Sequence, residues 1–176
     1  MNAMKRVAIL LAAEAAFGGI LVFTPSVSGH ADDKADPVFG GKIPLRYRDW
    51  KLISVAHEAG DFNDLRAVLG NDVAIKAYRE GKLPFPDGAI IARLAWSYVP
   101  SEENDKVFGR EQSFVAGAAK NVQFMVKDSR KYAATGGWGF AQFTDGKQVN
   151  EAVQSACFSC HEPAKARDFV FMRYAF

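Results

Sequence analysis

Near the C-terminus stand Cys157, Phe158, Ser159, Cys160 and His161. Two thiols three positions apart can each add across a vinyl group of one haem, while the histidine that follows points its imidazole at the iron. C-x-x-C-H therefore reads as covalent attachment of a c-type haem, with His161 as proximal ligand and Cys157 and Cys160 as the thioether donors. These are the only two cysteines of the chain, so no thiol is left over for a structural disulfide. A thioredoxin-like pair also uses C-x-x-C, but at the start of a helix in a βαβ unit near the front of its domain, and neither feature is present. A zinc site needs four ligands, and only His57 and His30 remain to complete one.

A haem has a large apolar face that must be covered, and the chain carries 14 Phe, although an ordinary aromatic core would use them equally well. The length of 176 residues fits one domain with its own core. With 22 Lys+Arg against 20 Asp+Glu and no long basic block, the composition argues against nucleic acid as a partner. The first 31 residues read as a secretory signal peptide: Lys5 and Arg6, an apolar run from Val7 to Phe23, then small residues up to Ala31. Glu14 interrupts the run and argues against a permanent span, an uncleaved anchor being the alternative. Cleavage after Ala31, or after Ser28, would remove Lys5, Arg6 and Glu14 and lower the formal charge from +2 to +1. Export agrees with the C-x-x-C-H motif, because bacterial c-type haem is attached outside the cytoplasm. Both stretches imply the periplasm.

The elements that must position the motif read as strands more than helices. Residues 32–44 are charged, then rich in Gly and Pro, and predict a flexible lead-in. Strands are expected over Lys51–Ala56, with His57 at the end, and over Leu65–Leu69, with Arg66 and Val68 on one face. Asn71 can cap a helix over Asp72–Glu80 that stops at Gly81, with Val73, Ala77 and Ile75 toward the core. After the stiff turn Leu83–Gly88 comes the clearest strand, Ala89–Val99. Ile90, Ala92, Leu94 and Trp96 alternate there with Ile91, Arg93 and Ala95. Pro100–Gly109 is expected as an exposed loop. Ala118–Lys127 should be a strand with Gln123 and Met125 on one face, and Trp138–Phe143 a fifth. Asn150 caps a short helix into Cys157, and Phe169–Tyr174 closes the chain as an apolar segment. The fold class that follows is α+β, a mainly antiparallel sheet of about five strands with a few short helices. Ordinary cytochromes c are all-helical and usually carry the haem motif near the N-terminus, and four-helix cytochromes c′ would show long helical periodicity, whereas strand-like alternation dominates this chain.

The sequence resembles the cytochrome P-460 and cytochrome c′-beta family. The resemblance rests on Tyr47-Arg48-Asp49-Trp50, Phe85-Pro86-Asp87-Gly88, Val126-Lys127-Asp128-Ser129, Gly137-Trp138-Gly139-Phe140, and the haem motif followed by Asp168-Phe169-Val170-Phe171. It implies a haem domain over residues 45–176, a homodimer, and a pentacoordinate haem with an open distal side. One type in this family joins a lysine to the macrocycle and oxidises hydroxylamine, in some cases with nitric oxide. The other lacks the bond and binds nitric oxide or similar gases. The position matching the cross-linking lysine is Arg93, a poor nucleophile. The distal arginine matches Arg66, and a distal carboxylate thought to relay protons matches Gln123, which cannot act as a general base. Lys76, Lys120 and Lys127 are placed on a helix and at two strand ends, with no evident aim at the haem.

Each of these residues also has a bland role. Arg66 and Arg93 can stabilise a propionate or an anion, or simply pair with a surface carboxylate. Gln123 can hydrogen-bond a distal ligand or face solvent. Met125 and Met172 are candidates for a sixth ligand or core filler, and His57 reads as a surface histidine. Trp50, Trp96, Trp138, Phe169 and Phe171 are expected in the core. The expected function is a periplasmic haem protein binding nitric oxide or a related small ligand at an open iron. The alternatives are hydroxylamine oxidation and plain electron transfer with a periplasmic redox partner.

Overall fold

The computed structural model describes residues 38–150 and 152–175. The predicted signal segment lies outside the described residues. Strands β1 (Lys51–Glu58), β2 (Asp64–Gly70), β3 (Ile90–Pro100), β4 (Phe114–Lys127), β5 (Trp138–Thr144) and β6 (Lys147–Gln148) form one antiparallel sheet in sequential order. Helices α1 (Asp72–Glu80), α2 (Glu102–Phe108) and α3 (Ala152–His161) complete it.

Alternation of side chains across the strands gives the sheet two apolar faces. One carries Ala92, Leu94, Trp96, Phe124, Ala141 and Phe143 and is covered by Tyr47 and Trp50. Phe39 and Ile43, from the stretch expected as a lead-in, pack on this face too, Phe39 edge-on to Phe124 at 5.5 Å. The other face carries Ile53, Val68, Ile91, Met125 and Phe140 and is covered by α1, α3 and the C-terminal segment. The division of β3 into Ile90, Ala92, Leu94 and Trp96 against Ile91 and Arg93 is therefore as the alternation predicts.

Helix α1 starts and stops where the sequence places it. Asn71 Oδ1 accepts from Ala74 N at 3.0 Å and from Ile90 N at 3.0 Å, so one side chain caps the helix and pins the start of β3. The buried residues are Ala74, Ile75 and Ala77, whereas Val73, expected inward, is 38% exposed. A helix of nine residues buries only a narrow stripe, and the small Ala74 lets it approach the sheet.

Two further expectations are corrected. The stretch Pro100–Gly109, read as a loop, contains α2, whose first turn carries Glu102, Glu103 and Asp105 behind the Ser101 cap. No residue of α2 is buried, so there was no apolar stripe to betray it. Strand β4 begins at Phe114 rather than Ala118, because Phe114 and Val115 pair with Pro100 and Val99. The run Ala116–Ala119 is too uniformly small for alternation to show, and Lys120 consequently lies inside the strand, not at its end. The sheet also gains a sixth strand, a two-residue β6 after the Asp145-Gly146 turn.

Candidate haem cleft

Strand register builds the first wall. Val68 pairs with Arg93, Arg93 with Gln123, and Gln123 with Gln142, so one row crosses β2 to β5 on a single face. The next row is Gly70, Ile91, Met125 and Phe140. The polar row is tied together. Arg93 Nη1 donates to Gln123 Oε1 at 2.6 Å, and Gln123 Nε2 donates to Gln142 Oε1 at 2.6 Å. Asp64, 1% exposed, accepts from Arg66 Nε at 2.6 Å and lies 3.6 Å from Arg93 Nη2. Glu58 Oε1 is 3.2 Å from Arg66 Nη1. Burial, and then the neighbouring Arg66, press the Arg93 guanidinium below its ordinary value. Its Nε is buried and has no hydrogen-bond partner among the described residues.

Helix α3 builds the opposite wall. Gln154 anchors it to β5: its Oε1 accepts from Phe140 N at 2.6 Å, and its Nε2 donates to Trp138 O at 3.2 Å. Residues three and seven positions on share that face, which turns Cys157 and His161 toward the sheet. His161 Nδ1 lies 2.7 Å from Phe169 O. A carbonyl can only accept, so Nδ1 carries the proton and Nε2 keeps its lone pair, the form that binds a metal. Burial holds this imidazole below its ordinary pKa, favouring the neutral state. Phe140 and Phe171 flank it, with ring centroids at 5.0 and 4.7 Å. Burial, then the neighbouring Cys160, raises the pKa of Cys157 and keeps it a thiol.

Between the walls is a cleft of about 530 Å³. Arg66, Arg93, Gln123, Cys157, Cys160 and His161, all read from the sequence as site residues, line it together, as do Met125 and Met172. His57 stands elsewhere, stacked on Tyr98 at 3.8 Å and 3.2 Å from Asn63 Oδ1, so it completes no zinc set with the motif. Trp138 and Phe169 are core residues as expected, whereas Phe171 is 45% exposed. The lysines are committed elsewhere: Lys76 to Glu80, Lys120 to the Phe62 carbonyl, and Lys127 to Asp168.

Two residues that sequence reasoning passed over, Gln154 and Asp64, prove structural to the site, and Lys127, weighed there only as a lysine without aim at the haem, proves to be half of a buried ion pair. Lys127 Nζ contacts Asp168 Oδ1 and Oδ2 at 2.8 and 2.9 Å, with the two side chains 5% and 8% exposed. In the sequence it stood out as a member of Val126-Lys127-Asp128-Ser129 and as a lysine at a strand end, and neither signal pointed to Asp168.

The residues present fit a haem. The cleft is lined largely by apolar groups, offers a neutral imidazole nitrogen, and has two thiols on the wall that carries that imidazole. No curated protein matches the chain. A family model, Cytochrome P460, matches residues 44–172, which is most of the chain and contains both walls, and the chain therefore belongs to the cytochrome P460 family of haem proteins.

Proposed function

We propose that this is a periplasmic c-type haem protein, joined to its haem through Cys157 and Cys160 and ligated by His161, that binds nitric oxide or a related small nitrogen oxide. The observation that carries the reading is the 2.7 Å contact of His161 Nδ1 with the Phe169 carbonyl, which leaves Nε2 to the cleft. When bound, the haem supplies an iron with a coordination position left for a diatomic ligand. On the sheet side Gln123 can offer an amide hydrogen bond, while Phe140 and Val68 exclude water.

The wall residues favour ligand binding over hydroxylamine oxidation. Oxidising hydroxylamine releases protons, and the amide at Gln123 accepts none near neutral pH. Arg93 is held by Gln123 and Asp64 and stays protonated, which makes it no nucleophile toward the macrocycle. A second reading, electron transfer with a redox partner, is favoured by Met125 and Met172, both of which line the cleft and carry a thioether.

Homodimerisation is supported by an apolar surface on α2 and β4, where Val107, Phe108, Phe114 and Val115 are 79%, 57%, 49% and 39% exposed. Light scattering of the purified protein tests that assembly. The ferrous holoprotein should take up carbon monoxide and nitric oxide with a clear shift of its absorption bands. A low-spin, gas-insensitive spectrum with a methionine-to-iron charge-transfer band in the ferric form would establish the electron-transfer reading instead. An ordinary c-type pyridine haemochrome on the denatured protein is expected, and a strongly red-shifted Soret band with fast hydroxylamine turnover would refute ligand binding as the main role.

A further inference from the structure

We propose that the buried Lys127–Asp168 pair is a positioning device for His161, fixing the direction and donor strength of the imidazole that faces the cleft. Burying a lysine and an aspartate together seldom adds stability over an apolar pair of the same volume, because both charges lose their hydration. The pair therefore calls for a role beyond packing, and its connections supply one.

Each polar side-chain atom of the pair has a partner. Lys127 Nζ reaches both Asp168 carboxylate oxygens and, at 3.0 Å, the Gly136 carbonyl. Asp168 Oδ2 also accepts from Phe85 N at 2.8 Å, and the Asp168 carbonyl accepts from Trp138 Nε1 at 2.8 Å. Three separate segments thus hold one residue. That residue is left-handed, φ 51°, and so is its neighbour Phe169, φ 64°. Two consecutive left-handed residues without glycine persist only where surroundings over-determine them. Their effect is to turn the chain so that the Phe169 carbonyl meets His161 Nδ1. Lys127 also shares its strand face with Gln123 and Met125, so β4 supports both the histidine side and the opposite wall of the cleft.

A carbonyl held on Nδ1 makes the imidazole a stronger donor, which favours ferric iron and stiffens the iron–nitrogen bond. This inference rests on His161 being the iron ligand, and the experiment separates the two. Resonance Raman spectra and midpoint potentials are recorded for the wild-type holoprotein, Asp168→Asn, and the double variant Lys127→Met with Asp168→Asn. Asp168→Asn can keep the contacts with Phe85 and Trp138, and the double variant leaves no unpaired charge. Positioning predicts that both variants fold and load haem while the iron–histidine stretch broadens and falls in frequency and the potential rises. An unchanged stretch and potential overturns the proposal. Collapse of both variants overturns it too, since the pair would then be holding the sheet rather than the histidine. No iron–histidine stretch in the wild type would refute ligation by His161 itself and the proposal with it.

Discussion

Gly136 touches the Phe169 ring so closely that adding one methyl group tests the packing behind the histidine. A Cβ on Gly136 would stand 2.1 Å from Cε2, 2.4 Å from Cζ and 2.8 Å from Cδ2 of Phe169. The ring is 8% exposed and packs against Phe158 at 5.6 Å, so it cannot move without disturbing α3. Two costs add in Gly136→Ala. The backbone is left-handed at φ +67°, which costs a residue with a Cβ about 1–2 kcal/mol. Overpacking of a closed core costs roughly 1–3 kcal/mol more. The total is about 2–5 kcal/mol, and at about 3 °C per kcal/mol for a domain of this size the melting temperature should fall by roughly 6–15 °C. Gly60→Ala is the control: φ is +72°, and nothing lies within 4 Å of the added Cβ. It should show the backbone cost alone, about 1–2 kcal/mol. Thermal melts followed by circular dichroism compare the two. If they melt within a degree of each other, Phe169 is not packed as described, and the support of its carbonyl for His161 loses its basis.

Asp64→Asn removes the buried charge between Arg66 and Arg93 and should cost about 3–5 kcal/mol in urea unfolding. A loss under about 1 kcal/mol would mean that the guanidiniums do not depend on it. Cys157→Ser and Cys160→Ser should each leave haem held by one thioether, read as a shifted pyridine haemochrome, with full loss of covalent haem only in the double variant. His161→Ala should leave an iron that still takes up carbon monoxide but gives a shifted spectrum of the ferrous complex; a spectrum identical to wild type would remove His161 from the ligand set. Tyr78, raised in pKa by burial, holds its proton in the fold beyond the point where an unfolded tyrosine gives it up. Its contribution is therefore complete below about pH 10 and is lost as pH rises above that. Tyr78→Phe should flatten the alkaline fall in stability, and an unchanged alkaline limb would refute this assignment.

Much of the sheet was legible because its strands have two unlike faces. In β3, alternation alone separates Arg93 from Ala92 and Leu94, and the structure puts them on opposite sides. α1 was legible because Asn71 and Gly81 punctuate it. α2 and the first residues of β4 were not, since an exposed helix and a run of small residues bury nothing that would impose a period. The motif residues were legible because C-x-x-C-H is defined by residue types and spacing alone, which need no knowledge of the fold.

The sequence by itself determined the local chemistry: two thiols and an imidazole on one helix, and Arg66, Arg93 and Gln123 on strands with a definite face. Only the tertiary structure decided that these meet across one cleft, because that depends on the register of β2 to β5 and on Gln154 fastening α3 to β5. It also decided which proton His161 carries. That rests on a carbonyl eight residues away, turned inward by Asp168, whose partner Lys127 is 41 residues earlier in the chain. Spacing within a helix is set by covalent geometry and can be read locally. The meeting of Lys127 with Asp168 is set by the folding of the whole sheet, and no local pattern records it.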